Sequence, residues 1–171
     1  MGKSLSWLSV DGATTSGVAR WRGDALISTR TITMPRGPGY DLWEGELLGV
    51  HGLVIEGGFV GPSKRSSLVL AQKRGRLVGY AEALGVEVWG DALMPAEWRA
   101  QVGIPANARR SAAKASALRM CAWLATPPDE RPASPAGLWD HLYLPAAGGV
   151  SEDEAEAVLI GCAWLRMSGA L

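Results

Sequence analysis

Two acidic residues follow short apolar runs and precede glycine. Asp11 comes after residues 5–10 and before Gly12, and Glu56 comes after residues 53–55 and before two further glycines. An apolar run that ends on an acid and glycine is typical of a buried strand whose last side chain emerges at the sheet edge. Each acid also has an ordinary explanation, because Asp-Gly is common turn chemistry and a strand-end glutamate is commonly solvated. Their chemistry depends on whether further carboxylates reach the same edge.

A second pair of acids begins a helical pattern near the end of the chain. Asp153 and Glu156 are three residues apart, which places them on one face of a helix. Ser151 and Glu154 form a capping box, and acids in a first turn complement the helix dipole, so this cluster also has a structural explanation. If the pair joins the two strand-end acids, the four carboxylates repel one another unless cations lie between them. Magnesium is the expected ion, because hard oxygen ligands suit it and no soft donors accompany them.

The four acids meet only if particular strands and helices position them. Periodicity and turn residues predict five strands, over residues 5–10, 17–21, 25–34, 53–56 and 86–89. Helices are predicted over residues 42–48, 63–84, 95–102, 108–124 and 151–166. The first three strands are sequential and antiparallel, whereas the helix of residues 63–84 is a crossover that makes its two flanking strands parallel neighbours. The expected fold class is α/β, with a five-stranded mixed sheet and helices on both faces.

Length and composition are typical of one folded, soluble domain. With 171 residues, of which 47% are apolar, the chain can bury a full core as a single domain over residues 1–171. Residues 127–150 are rich in Pro, Ala and Gly and are expected to form a long loop. No window reaches the roughly 18 apolar residues of a membrane span, and no signal-peptide pattern is present. We therefore expect a cytoplasmic protein, of a bacterium or of a host cell if the source is viral, with no membrane partner.

The basic residues are unevenly distributed, although the net charge is zero and by itself argues against a nucleic-acid partner. Ten of the seventeen Lys and Arg residues lie in two segments without any acid, residues 57–81 and 98–128. The two sets are Lys64, Arg65, Lys73, Arg74 and Arg76, and Arg99, Arg109, Arg110, Lys114 and Arg119. Both sets can be solvated helix faces, or they can bind phosphates.

Four short motifs occur in order along the chain. They are Ser-Val-Asp-Gly at residues 9–12, Val-Ile-Glu at 54–56, Leu-x-Leu-x-Gln-x-Arg-Gly at 68–75, and Asp-Glu-Ala-Glu-Ala at 153–157. In this order they resemble motifs of the RuvC-like Holliday-junction resolvases, within the RNase H-like (retroviral integrase) superfamily, over nearly the whole chain. The resemblance implies an RNase H-like fold. It also implies that the catalytic metal ligands are Asp11, Glu56, Asp153 and Glu156.

The resemblance further implies an activity, a cofactor and partners. The family hydrolyses DNA phosphodiester bonds with two Mg²⁺ ions about 4 Å apart, one activating water and one stabilising the leaving 3′-oxygen. Asp11 is expected to bridge both ions, Glu56 to hold one, and Asp153 with Glu156 to hold the other, and Mn²⁺ is an expected substitute. The implied partners are branched DNA, most of all four-way junctions in DNA recombination and repair, and a second copy of the chain. That homodimer forms through the helix of residues 63–84, so that two sites nick opposed strands.

Residues expected to contact DNA follow from the same resemblance. Val-Gly-Ile at 102–104 and Lys114 resemble a family segment that approaches DNA phosphates. Phe59, in a glycine-flanked loop, is a candidate for stacking on an unpaired base, although simple loop packing explains it equally well. The expected DNA-binding residues are Phe59, Lys64, Arg65, Lys73, Arg74, Arg76, Arg109, Arg110 and Lys114. Gly75 and Gly79 lie on one face of the 63–84 helix and predict the close approach of a sheet or a partner helix.

The chain also departs from the family pattern, and other functions stay open. Glu156 stands where aspartate is usual, and this longer side chain can change the rate or the metal preference. Ala13 replaces a proline-glycine turn, and the 127–150 loop is longer than is typical of the family. A nuclease of the same fold can act on flaps, forks or structured RNA. The turn of residues 11–15 resembles the phosphate loop of sugar-kinase-like and actin-like ATPases, but that group needs a second such domain. A non-catalytic nucleic-acid-binding module predicts dispersed acids and no bound metal.

Overall fold

A mixed five-stranded sheet lies at the centre of the protein. The computed structural model describes residues 5–13, 15–33, 40–58, 63–132 and 139–170. The strands are β1 (Ser6–Val10), β2 (Thr15–Arg22), β3 (Ala25–Thr33), β4 (Gly52–Glu56) and β5 (Glu87–Leu93), in the spatial order β3-β2-β1-β4-β5. The pairs β3–β2 and β2–β1 are antiparallel, whereas β1–β4 and β4–β5 are parallel. The predicted α/β class and mixed sheet are confirmed.

Helices cover both faces of this sheet, as predicted. They are α1 (Tyr40–Leu47), α2 (Lys64–Ala83), α3 (Pro95–Gln101), α4 (Arg110–Ala125) and α5 (Glu152–Met167), with a short 3-10 helix at Pro145–Ala147. One hydrophobic core lies between the sheet and α1 with α2, and a larger one lies between the sheet and α3, α4 and α5. None of the described helices is long and apolar enough to span a membrane.

The alternating strand residues explain why both faces are covered. Trp7 on β1 and Val54 on β4 face the α3–α4–α5 core, whereas Leu8 and Ile55 face the α1–α2 core, and all four are essentially inaccessible to solvent. Because both sets are large and apolar, neither face of the central strands can be left in water. The sheet is therefore a rigid central layer whose strand ends form the edge at which functional side chains emerge.

Helix α5 is tied directly to the central strands. The Ser9 hydroxyl donates to the Ala157 carbonyl at 2.7 Å and accepts a hydrogen bond from the Trp21 indole at 2.8 Å. Gly161 allows α5 to lie on that indole, because a Cβ there would be 2.4 Å from the Trp21 ring. These contacts fix the position of α5 over β1 and β2.

The end of α2 and the 127–150 segment show local detail beyond the sequence prediction. Leu84 continues the apolar spacing of Leu77 and Ala81 in sequence, but it caps the end of the predicted 63–84 helix and is 41% exposed, whereas Leu77 and Ala81 are buried. Part of the 127–150 segment is packed, because Trp139 and Leu144 are buried. The Arg131 guanidinium there donates to the carbonyls of Trp139 and Asp140 at 3.0 and 2.6 Å. Where the structure describes it, the segment is therefore held to the rest of the protein by buried aromatic and apolar residues and by Arg131.

Candidate functional site

Asp11 and Glu56 come to one edge of the sheet because their strands are parallel neighbours. Val10 of β1 pairs with Ile55 of β4, so each acid directly follows one member of a register pair. The Asp11 backbone N–H donates to the Gly17 carbonyl at 3.1 Å, which closes the turn between β1 and β2. Both acids therefore lie side by side at the carboxyl ends of two buried strands, as the sequence predicts.

The first turn of α5 reaches this edge because β2 carries a glycine. A Cβ on Gly17 would lie 1.8 Å from the Asp153 carbonyl oxygen, so only glycine permits this approach. The predicted capping box is present, with Ser151 and Glu154 each accepting the other's backbone N–H at 3.3 Å. The Glu154 carboxylate also accepts the hydroxyls of two β3 threonines, so it points away from Asp153 and the site.

Three of the four predicted acids converge. Carboxylate oxygens of Asp11, Asp153 and Glu156 all lie within 4.8 Å of one another. Glu56 is adjacent but turned toward α3, where its Oε1 accepts a hydrogen bond from Trp98 Nε1 at 2.7 Å. This arrangement does not match the dispersed acids that a non-catalytic binding module predicts.

Burial and mutual repulsion raise the pKa values of three carboxyls, those of Asp11, Glu56 and Glu156. Burial, followed by the charges of Glu56, Glu156 and Asp153, raises the pKa of Asp11 to about 8, although Lys114 acts in the opposite direction. Burial also raises the pKa of Glu56 and that of Glu156, against the lowering effects of the Trp98 hydrogen bond on Glu56 and of nearby cations on both. Ionising these acids is therefore unfavourable without additional positive charge, which is an electrostatic condition that favours binding of a cation.

Two cations of the chain contact the acids. Lys114 Nζ lies 2.5 Å from Asp153 Oδ1, 3.4 Å from Glu152 Oε2 and 3.9 Å from Glu156 Oε2. Burial lowers the pKa of this ammonium, but the hydrogen bond to Asp153 and the neighbouring carboxylates outweigh burial and raise it. Arg99 Nη2 lies 3.6 Å from Glu156 Oε1. Lys114, expected at DNA phosphates, is thus also a direct partner of the acidic cluster.

The donor set fits a hard divalent cation. Asp11, Asp153 and Glu156 offer only carboxylate oxygens, at separations that a single ion could span. The raised pKa values of Asp11 and Glu156 mean that added positive charge would favour their ionised forms. Mg²⁺ and Mn²⁺ prefer such oxygen donors, whereas softer metals prefer nitrogen or sulfur.

The predicted DNA-binding residues occupy different environments. Arg65, Arg110 and Lys114 line an open groove of about 580 Å³ that also includes Asp153, and so runs directly past the acids. Lys64, Arg76 and Arg109 are exposed, and Lys73 is half-buried. Arg74 is half-buried, and its Nε donates to the Glu56 carbonyl at 3.2 Å, so it also supports the end of β4. Phe59 lies outside the described residues.

No protein-family model matches this sequence, and no curated protein matches it. Solved structures, in contrast, do match this chain. The structure of Thermus thermophilus RuvC matches with a TM-score of 0.57 at 15% identity, covering 96% of this chain and 97% of that one. T. thermophilus RuvC in complex with a Holliday junction substrate matches with a TM-score of 0.59 at 14% identity, covering 95% and 96%. The yeast mitochondrial Holliday junction resolvase Ydc2 matches with a TM-score of 0.55 at 14% identity, covering 98% and 80%.

The chain has the RuvC fold. At these identities the likeness concerns the fold, and it confirms the RNase H-like architecture that the motifs imply. The matched region covers at least 95% of this chain in each of the three structures.

Within this RuvC fold, sequence reasoning missed the contribution of α3. Trp98 was assigned no role, and Arg99 was placed only in the second basic set, yet each contacts one acid of the site. The available signal was a basic residue directly after a buried aromatic in an acid-free segment, which is too common to identify a site.

Proposed function

We propose that this protein is a metal-dependent endonuclease that resolves Holliday junctions by paired nicks, in DNA recombination and repair. The observation that carries the proposal is the convergence of Asp11, Asp153 and Glu156 oxygens within 4.8 Å. These residues come from the two ends of the chain, and nothing in helix capping or turn formation requires them to meet. The RuvC fold supports the same assignment, since T. thermophilus RuvC is described with a Holliday junction substrate.

The acids would hold two Mg²⁺ ions, with Mn²⁺ as a substitute. Asp11 would contact both ions, Glu56 one, and Asp153 with Glu156 the other. When bound, such a pair of ions activates water for attack on the phosphorus and stabilises the leaving 3′-oxygen. The raised pKa of Asp11 favours its protonated form, and Asp11 must lose this proton before it can act as a ligand. Lys114 stays protonated and offsets part of the remaining negative charge beside Asp153.

The groove beside the acids is a suitable path for the DNA backbone. Arg65 projects from the start of α2, and Arg110 and Lys114 project from α4, so that cations flank the groove on two sides. Contacts of this type position phosphates without reading base sequence. We therefore assign substrate choice to the shape of the branched DNA rather than to base contacts by these residues.

Helix α2 offers a surface for a second copy of the chain. Leu68, Gly75 and Gly79 lie on one side of the helix, Leu68 is 60% exposed, and a Cβ on either glycine would meet no atom of the described residues. Exposed leucine beside glycines that pack against nothing is unfavourable for a free helix surface and favourable for a helix–helix contact. A homodimer through α2 would supply the two sites that paired nicking needs.

The decisive experiment compares labelled four-way, fork, flap and linear DNA, and a structured RNA, in Mg²⁺. We expect symmetric nicks in the four-way junction and little cleavage of linear duplex. Asp11→Asn should lower the cleavage rate by at least about 1,000-fold while retaining junction binding, because it removes both a ligand and a charge that repels phosphate. Asp24→Asn, in the exposed β2–β3 turn, is the matched control and should cleave normally.

Each outcome of this experiment is informative. Preferential cleavage of forks, flaps or RNA would replace the resolvase assignment by another nuclease of the same fold. Normal cleavage by Asp11→Asn would refute the proposed site, and binding without cleavage of any substrate would favour the non-catalytic module.

A further inference from the structure

Helix α3 contacts two of the four acids through adjacent residues. Trp98 is fully buried, and its Nε1 donates to Glu56 Oε1 at 2.7 Å. Arg99 lies over the Trp98 ring, with its guanidinium carbon 5.2 Å from the ring centroid, and approaches Glu156 Oε1 at 3.6 Å. One short helix therefore reaches acids that come from β4 and from α5.

The position of α3 is itself fixed at both ends. At its start, the Met94 backbone N–H donates to Glu97 Oε2 at 2.9 Å, which caps the first turn. At its end, the Gln101 carbonyl accepts a hydrogen bond from Arg166 of α5 at 2.6 Å. Because the indole is rigid and fully enclosed, its N–H has one direction available, and Glu56 is the group that lies there.

The Trp98 bond differs from the other buried indole bonds near the sheet. Trp7 donates to the Gly23 carbonyl and Trp21 to the Ser9 hydroxyl, and both acceptors are neutral. Trp98 donates to a carboxylate at the site, and it engages only one of the two Glu56 oxygens. A hydrogen bond of this type selects one orientation of the carboxylate and leaves the other oxygen available.

We infer that Trp98 is a positioning residue, which holds Glu56 so that its second oxygen is directed to the divalent cation of the proposed nuclease site. This inference rests on the proposed function. It concerns how a ligand is oriented, so its direct consequence is on metal affinity before any DNA is bound. Loss of a group that orients a metal ligand typically weakens affinity by about 10- to 100-fold.

The test measures Mn²⁺ binding to the full chain without DNA, by the electron paramagnetic resonance signal of free Mn²⁺. Trp98→Phe keeps most of the ring and removes the N–H, and we expect the dissociation constant to rise by about 10-fold or more. Trp164→Phe is the matched control, because Trp164 Nε1 is buried without a hydrogen-bond partner among the described residues. Its dissociation constant should stay within about twofold of wild type.

A second comparison separates positioning from general stability. Trp7→Phe also loses an indole hydrogen bond and should lower thermal stability, yet it should leave Mn²⁺ affinity unchanged. In a Glu56→Gln background, Trp98→Phe should weaken affinity by less than about twofold, since the group through which it acts has been altered. A further full loss in that background would overturn the inference, because Trp98 would then act by another route.

A measurement on the unaltered protein covers the case in which Trp98→Phe does not fold. The ¹H–¹⁵N signal of the Trp98 indole should move during a Mg²⁺ titration with the same dissociation constant as binding, and the Trp164 indole signal should move less. Wild-type protein that binds no Mn²⁺ would refute the proposed function itself. Wild-type binding together with an unchanged Trp98 signal, or with unchanged affinity of a folded Trp98→Phe, would refute only the role of Trp98.

Discussion

Two places in this protein bury carboxylates to nearly the same degree, and they differ in charge balance. Glu46 of α1 is 7% exposed, and Asp11 and Glu156 at the strand-end site are 6% and 7% exposed. Glu46 has two arginine partners: Arg30 donates to its Oε1, and Arg20 Nη2 lies 3.7 Å from its Oε2. Arg20 also donates to the Glu46 carbonyl at 2.5 Å.

At the strand ends the carboxylates outnumber the cations that contact them. Lys114 contacts Asp153 and Glu156, and Arg99 contacts Glu156, whereas Asp11 and Glu56 have no ion-pair partner within 4.0 Å among the described residues. The charge of Glu46 is thus balanced by two arginines, and this cluster is an internal clamp that ties α1 to β2 and β3. The four acids at the strand ends, in contrast, need positive charge from elsewhere. Burial of an acid is therefore a poor indicator of function, and the balance of charge around it is a better one.

The largest expected effect comes from moving α5 away from the sheet. Gly17→Ala places a Cβ about 1.8 Å from the Asp153 carbonyl, which forces the first turn of α5 outward. We expect a loss of about 3 kcal/mol or more in the free energy of unfolding, measured by urea denaturation, and loss of cleavage because Asp153 no longer reaches Asp11.

Gly45→Ala is the matched control beside the Glu46 cluster. A Cβ at Gly45 would meet no atom within 4 Å, and the residue lies inside α1. Alanine there should increase stability by about 0.5–1 kcal/mol and leave cleavage unchanged. Full activity in a folded Gly17→Ala variant would contradict the assignment of Asp153 to the site.

Much of the strand-end site could be predicted because local patterns determine it. Parallel neighbouring strands bring their carboxyl ends to one edge, so Asp11 lies next to Glu56 because β1 and β4 pair in parallel. The capping box fixes where α5 begins, and hence which face carries Asp153 and Glu156. Each of these steps depends on residues close in sequence or on a general topological rule.

The contacts that escaped prediction join residues far apart in the chain. The Trp98–Glu56 bond, the Lys114–Asp153 contact and the Glu46 clamp depend on how each helix is rotated on the sheet. Periodicity identifies a buried helix face but not which polar neighbour that face meets across the core. Leu84 shows the same limit at a helix end, where the apolar stripe continues in sequence after the helix has ended.

Neutralising Glu46 tests the clamp directly. Glu46→Gln keeps the size of the side chain but removes the charge that faces Arg20 and Arg30. We expect a loss of about 1–2 kcal/mol in the free energy of unfolding and a cleavage rate within about twofold of wild type. The exposed neighbour Glu44 provides the control, since Glu44→Gln should change stability by less than about 0.5 kcal/mol. A large loss of cleavage by a folded Glu46→Gln variant would remove the distinction between the two clusters.

Neutralising Asp11 should have the opposite effect on stability when divalent ions are chelated. The pKa of Asp11 is raised from 3.8 to about 8, so the folded protein keeps a proton that the unfolded chain loses near pH 4. The stabilisation from this proton is complete below pH 4 and is lost as the pH rises toward 8. Asp11→Asn avoids this loss and should be more stable than wild type by about 1–3 kcal/mol at pH 8, with little difference at pH 4.

Thermal unfolding in chelator across this pH range measures the difference between the two proteins. Adding Mg²⁺ at pH 8 should stabilise the wild type and not Asp11→Asn, because ligand binding to the folded state raises its stability. Equal stability of the two proteins at pH 8 in chelator would mean that the acids are already neutralised by the chain, as Glu46 is.

The smallest expected effect concerns the cations that line the groove. Arg110→Ala, measured in an Asp11→Asn background that prevents cleavage, should weaken four-way junction binding several-fold and reduce the slope of log affinity against log salt by about 1. Arg22→Ala is the control, because Arg22 ends β2 opposite Ser6 and so lies at the other end of the sheet from Asp11. Lys73→Ala tests in the same way whether α2 also contacts phosphate. An unchanged salt slope for Arg110→Ala would mean that this face of α4 contacts water, and that the groove beside the acids is not the path of the DNA.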